Sequence, residues 1–266
     1  MSTKPGRRFD YTTVIGLPAA IAVVVVAQLL EGAPARALWQ PTAALVVFGG
    51  TFVAVVVSYP TAVVKRTFSA LQTVFFDQSE PTRAVVDRVL RYAQIARRTG
   101  ALVLEQEIDR APDPFLRAAL TLAVDGTSAT VTRQILEMES EARREHAEAP
   151  ADVLETAAGY APTLGILGAV LGLIHVMQSL SEPSKLGTGI AVAFVATVYG
   201  VASANLVLLP LATKLRGVAR RAALNRELII EGMTAVVEGL SPRLIEHKLQ
   251  GYLVLTKESD AGRRVA

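Results

Sequence analysis

Two stretches in the C-terminal half, Thr156–Leu180 and Gly187–Leu211, constrain everything else. Neither carries an Asp, Glu, Lys or Arg between Ala157–Leu180 and Thr188–Leu211. Each is roughly 25 residues long, enough as an α-helix to cross a hydrocarbon core of about 30 Å with some tilt. Both are patterned. The first holds Pro162, Gly165, Gly168 and Gly172; the second holds Thr197, Gly200, Ala204 and Pro210. Gly168-x-x-x-Gly172 and Ala196-x-x-x-Gly200-x-x-x-Ala204 are small-residue ridges, which let helix backbones approach closely where lipid supplies no hydrophobic drive. The pattern predicts a packed helix pair built to meet other helices.

Half the chain is hydrophobic (51%) while 19% is charged, so charge-free stretches must alternate with charge-rich ones. With no cysteine, disulfides, thiolate metal sites and Cys nucleophiles are excluded together. Met1–Asp10 is polar and basic, and the apolar run after it has no A-x-A-like cleavage site, so it is expected to remain as a membrane span. The net charge of +3 does not indicate nucleic acid, because much of the Lys and Arg flanks the spans.

Residues 14–30 are the first expected span and 42–60 the second, forming a hairpin over 14–60 after an N-terminal segment 1–13. Residues 61–155 read as a soluble helical segment. A second hairpin spans 156–212, with spans at 156–180 and 187–212, and residues 213–266 form C-terminal helices and a frayed tail from Glu258. Lys4, Arg7, Arg8, Lys65, Arg66, Lys214, Arg216, Arg220 and Arg221 all fall on one side of this arrangement, against Arg36 and Lys185 on the other. The bias puts both termini and the segment 61–155 in the cytoplasm.

Within that segment, Arg83–Arg98 places Val86, Val89, Leu90 and Ala93 on one helical face, with Gly100 as its stop. Further helices are expected over Leu102–Asp109, Phe115–Val124 and Thr127–His146. No sustained period-2 pattern occurs, so no sheet is expected. Ser241 and Pro242 suit the N-cap and first position of a short helix running to Leu253. The fold class is an all-α membrane protein: four transmembrane helices (2+2), a helical cytoplasmic domain between helices 2 and 3, and a helical C-terminal tail.

No P-loop, H-E-x-x-H or G-x-S-x-G motif is present, and no cofactor or metal is expected. His146, His175 and His247 are scattered. The chain reads as a non-enzyme. Pumps and proton channels place an ionisable group in the membrane, yet these spans offer only hydroxyls, the amides of Gln28, Gln178 and Asn205, and His175. An ion-conducting function therefore needs a carboxylate from a partner helix.

The chain resembles the A subunits of the bacterial flagellar stator, MotA and PomA, within the MotA/TolQ/ExbB group. The resemblance rests on Leu30-Glu31-Gly32, Gln40-Pro41-Thr42-Ala43, Gly49-Gly50-Thr51 and the run Ala161–Gly168. It continues through Ala191-Val192-Ala193, Thr197-Val198-Tyr199-Gly200 and Leu209–Leu215. Arg226-Glu227, Glu231-Gly232 and Gly239-Leu240-Ser241-Pro242 complete it. The 2+2 order of spans also matches, whereas ExbB and TolQ have three spans. The resemblance implies a multi-pass protein of the bacterial inner membrane. It implies five A subunits around two copies of a single-span, peptidoglycan-binding B subunit that bears the Asp. The partner beyond the membrane is the rotor switch protein of the flagellar C-ring. Other readings are an ExbB/TolQ-like energy-transducing channel for a non-flagellar process and a non-conducting scaffold.

By spacing alone, Pro162 and Pro210 set kinks near helix ends, and Thr197 bonds its own i−4 carbonyl. The resemblance instead assigns Pro162, Thr197, Tyr199 and Pro210 to the ion pathway and its conformational coupling. Ala169 stands where sodium-driven relatives tend to have Thr, which implies protons. Arg97 and Glu105 match a rotor-facing charged pair, with Arg98 beside them; by position alone they are helix-terminal charges. Glu107, Asp109 and Arg110 can share that load, and Glu139 and Glu148, which precede the third span, either gather protons or lie on a solvated helix face.

Overall fold

A computed structural model describes residues 8–32, 34–77, 80–178 and 183–252. The expected end of the third span at Leu180, the basic residues Lys4 and Arg7, Leu253, and the tail from Glu258 lie outside the described residues.

Helix α1 runs over Tyr11–Leu30, with Asp10 capping it by accepting from the Thr12 N–H at 3.1 Å. A 3₁₀ turn, Ala35–Leu38, leads to α2, Pro41–Ala44, whose N-terminal proline costs no hydrogen bond there. The helix widens into a π-turn at Leu45–Gly49 and continues as α3, Gly50–Ser58. Next come α4 (Thr61–Phe75), α5 (Thr82–Thr99), α6 (Glu105–Ile108) and α7 (Pro114–Val124). Then α8 spans Ala129–Gln178 and α9 spans Pro183–Ala202, a second π-turn covers Ser203–Leu208, and α10 spans Leu209–Val237. A last helix, α11, covers 242–252. Four of these stretches, Tyr11–Leu30, Ala35–Ser58, Ala129–Gln178 and Gly189–Val237, contain a window long and apolar enough to cross a membrane.

The chain forms two compact units. One comprises the described residues within 8–77 and 148–217, the four spans with α4. Val74 of α4 is buried there with Ala151, Leu154, Ala212 and Leu215, so α4 packs with the spans. The other described unit, 80–147 and 218–252, joins the inserted helices to the C-terminal ones. Its core holds Val89, Tyr92, Phe115, Leu116, Leu136, Met233, Ile245 and Leu249, all at most 1% exposed. The α5 face buries Val86, Val89 and Ala93 as the spacing implies, with Tyr92 added and Leu90 only half-buried.

Three expectations need correction. A small sheet exists: Arg8–Phe9 pairs antiparallel with Phe76–Asp77, two residues each. So short a bridge needs no alternating pattern. The Asp10 N–H donates to the Phe75 carbonyl at 3.1 Å beside it. Thr127–His146 is not a separate helix, since α8 runs unbroken for 50 residues through Pro150 and Pro162. Pairs such as Arg143–Glu139, at 2.6 Å, support its charged part. Leu102–Asp109 splits into a 3₁₀ turn, Ala101–Leu104, and the one-turn α6. Gly100, at φ +90°, breaks from α5, and Leu104, fully buried, fixes the turn.

Candidate functional site

The charge-free helices meet along their small residues. A Cβ at Gly165 would lie 2.9 Å from the Ala196 carbonyl oxygen, and one at Gly168 would lie 2.8 Å from the Ala196 Cβ. A Cβ at Gly172 would lie 2.9 Å from the Ala193 nitrogen, and one at Gly200 would lie 3.0 Å from the Pro162 Cα. No side chain fits at such separations, so glycine is what brings these backbones together. Ala204, at the end of the second ridge, packs on Ala158 and Ala161.

This contact brings some candidate residues together and leaves others apart. Pro162 lies against Gly200, and Thr197 borders Gly165. The Thr197 hydroxyl donates to the Ala193 carbonyl at 3.3 Å, the i−4 bond that a helix offers any threonine. Ala169 is half-buried one residue past Gly168. Pro210 stands apart: it is exposed, and 13 helical residues put it about 20 Å from Thr197. It lies two residues past the end of the π-turn Ser203–Leu208. A proline lacks the N–H for the preceding carbonyl and its ring crowds that carbonyl, and a widened turn relieves both.

Tyr199 is tied within the chain. Its hydroxyl donates to the Leu38 carbonyl and accepts from the Gln40 N–H at 3.3 Å. Its ring stacks on Phe48, with centroids 5.4 Å apart. It locks the start of the second span to the fourth. Facing outward from the hairpin are Ile166, Val170, Ile174 and Met177 of α8 and Phe194 and Val201 of α9, all exposed apolar residues.

Polar groups cluster where the spans end. Arg216 binds Asp152 at 2.7 Å and Glu155 at 2.9 Å, and Lys214 binds Asp10 and donates to Thr12 at 2.9 Å. Cations that the sequence reads only as topology signals are thus paired with acids brought from other helices. Tyr59 and Thr156 share a hydrogen bond of 2.8 Å, and Ser58 and Tyr160 one of 3.0 Å. These partners are 97 and 102 residues apart, a separation that no local pattern reveals.

In the other unit, Arg97, Arg98 and Glu105 are all exposed around the Gly100 turn. Arg97 Nη1 donates to the Gly239 carbonyl at 3.4 Å. Glu107 is engaged by Arg91 at 2.9 Å and by Arg110 at 3.0 Å, and Glu139 by Arg143. Glu231, outside the spans, is held by Arg133 and Lys248, each at 2.6 Å, which pull its carboxyl down to about 2. Among the described residues no group of three or more His, Asp or Glu is placed to hold a metal.

Two family models match the chain: the MotA/TolQ/ExbB proton channel family over residues 107–228 and the Motility protein A N-terminal region over residues 14–100. Motility protein A of Bacillus subtilis (strain 168) is 38% identical over 245 residues, covering 92% of this chain and 91% of the relative. The structure of the flagellar MotAB stator complex from Bacillus subtilis matches with a TM-score of 0.83 at 37% identity, over 91% of this chain and 95% of that one. The structure of C. jejuni MotAB matches with a TM-score of 0.85 at 29% identity and the same coverage.

Proposed function

Because the chain belongs to the MotA/TolQ/ExbB proton channel family, we propose that it is the pore-forming A subunit of a flagellar stator, turning ion flow into torque. The carrying observation is a tightly interlocked pair of spans with no acidic or basic side chain between Ala157–Leu180 or Thr188–Leu211. A charge in transit needs a titrating group, and here a B-subunit helix supplies it. The solved relatives are MotAB complexes, which supports a B partner for this chain.

In this reading, five A subunits surround two B subunits in the bacterial inner membrane. Both termini, the segment 61–155 and the segment 213–266 are cytoplasmic, while 14–60 and 156–212 are the hairpins. Pro162 and Thr197, set at the Gly165–Gly200 contact, face the B helix. Ala169 offers no oxygen to replace a sodium ion's hydration shell, so the ion is a proton. Pro210 and its wide turn flex with each step, and Tyr199 keeps the outer end of the hairpins fixed. Each charge crossing 100 mV releases about 2.3 kcal/mol, which the ring delivers to the rotor switch protein through Arg97, Arg98 and Glu105. The chain carries no catalytic role.

The test is reconstitution in liposomes. The A chain alone should pass no selective current, while co-purified A and B should pass protons and ignore a sodium gradient. Steady proton current from the A chain alone would end this reading.

A further inference from the structure

Beyond the ion pathway, the span unit contains an apolar cavity of about 740 Å³. Val25 of α1, Phe52 of α3, Phe68 of α4, Ala157 of α8, and Ala202 and Leu206 of the fourth span line it. Both π-turns border it, one through Phe48 and the other through Ser203 and Leu206–Leu208. A π-turn costs regular hydrogen bonding and is kept mostly where a helix serves a site. Two of them on one cavity mark a built feature. Helix α1 forms the outer wall yet has Thr13 as its one buried residue, so it stands off from the other spans.

We propose that this cavity is a lipid site that takes an acyl chain of an anionic phospholipid from the surrounding bilayer. The volume lies within the range of small-molecule pockets, and a space lined this way excludes water. Its walls belong to membrane-spanning helices and their continuation α4, so the medium that reaches it is hydrocarbon. The ends suit a lipid as well. Lys65 is exposed on the α4 face that carries Phe68, and it has no ion-pair partner among the described residues. In the proposed site its ammonium pairs with the phosphate headgroup. Trp39 lines the far end and is 79% exposed, as an interfacial tryptophan is. Thr51, 8% exposed, borders the cavity with its hydroxyl oxygen shut away from the open space and without a hydrogen-bond partner, so it presents an acyl chain with no polar group.

Native mass spectrometry of the co-purified A–B complex, relipidated with phosphatidylglycerol or phosphatidylcholine, tests this. One phosphatidylglycerol should be retained per A subunit. Ala202→Phe, which fills the cavity, should lower retention at least tenfold in an intact complex, and Val25→Trp serves if that variant does not assemble. Lys65→Gln should remove an anionic-over-zwitterionic preference of about fivefold, and Thr51→Val should leave retention unchanged or raised. Lipid retention that ignores both filling variants would overturn the proposal. So would a Thr51→Val variant that loses the lipid, since the ligand would then need a polar group at that depth. Efficient disulfide formation between Val25→Cys and a span of a second copy, easily read because the chain has no cysteine, would assign the cavity to a neighbouring helix instead.

Discussion

At the scale of single residues, the site depends on what is missing from side chains. Gly200 cannot accept even a methyl group, because the added carbon would meet Pro162 Cα at 3.0 Å, with the Ala161 carbonyl nearer still. Gly200→Ala should force the hairpin apart at a cost of about 1–3 kcal/mol, abolishing swimming at normal membrane abundance. Gly16→Ala, with nothing within 4 Å, is the control and should swim normally. Glu231 illustrates the opposite principle, a charge that must be present. Its carboxyl titrates at about 2 against an ordinary 4.5, so its ion pairs stabilise fully above about pH 4.5. That stability is lost as pH falls from 4.5 towards 2. Glu231→Gln should lower stability at pH 7 by about 1–3 kcal/mol and flatten the acid decline in that window. Thermal melts of detergent-solubilised protein across pH 2–7 are the measurement, and an identical acid decline in the variant would show that other carboxylates govern it.

At the scale of elements, the sequence locates helices well and their irregularities poorly. Ser241 caps its helix as its residue type implies, and the structure adds Asp10 and Asp113, each accepting from a backbone N–H of the turn that follows. The π-turns leave no comparable signature, because a wide turn reflects what the helix packs against rather than which residues compose it. Pro210 is the exception that a reader of sequence can use. If its missing N–H is what keeps Ser203–Leu208 wide, Pro210→Ala should restore α-helical pitch. Residues beyond it would then rotate by about 100° for each residue taken up. Cysteine-accessibility mapping of residues 203–215 should show that rotation together with loss of motility. An unchanged accessibility pattern would mean that tertiary packing, not the proline, sets the turn.

At the scale of the whole molecule, the chain forms two compact units. The unit of residues 80–147 and 218–252 exposes Arg97, Arg98 and Glu105 on either side of the Gly100 turn. Surface charges act mainly by steering and are screened by salt. With the proposed rotor contact, Arg97→Glu should reduce swimming several-fold without changing A–B assembly, and a compensating charge reversal on the rotor switch protein should restore part of it. Motility-plate expansion of the two strains is the measurement, and normal swimming by Arg97→Glu would move the contact to other charges.

The sequence by itself determined the class of fold, the four spans and the absence of acidic and basic side chains from the last two of them. Those follow from local composition: a run without charge is legible wherever it sits, and so is a ridge of Gly and Ala at four-residue spacing. Only the tertiary structure decided which side chains share a surface. It placed α4 with the spans and the C-terminal helices with the inserted ones. It turned Lys214 and Arg216 from topology markers into ion-paired groups, tied Tyr199 to Leu38 across 161 residues of chain, and opened an apolar cavity beside two π-turns. Contacts between distant segments depend on shape complementarity summed over many residues, and no short stretch of sequence carries that information.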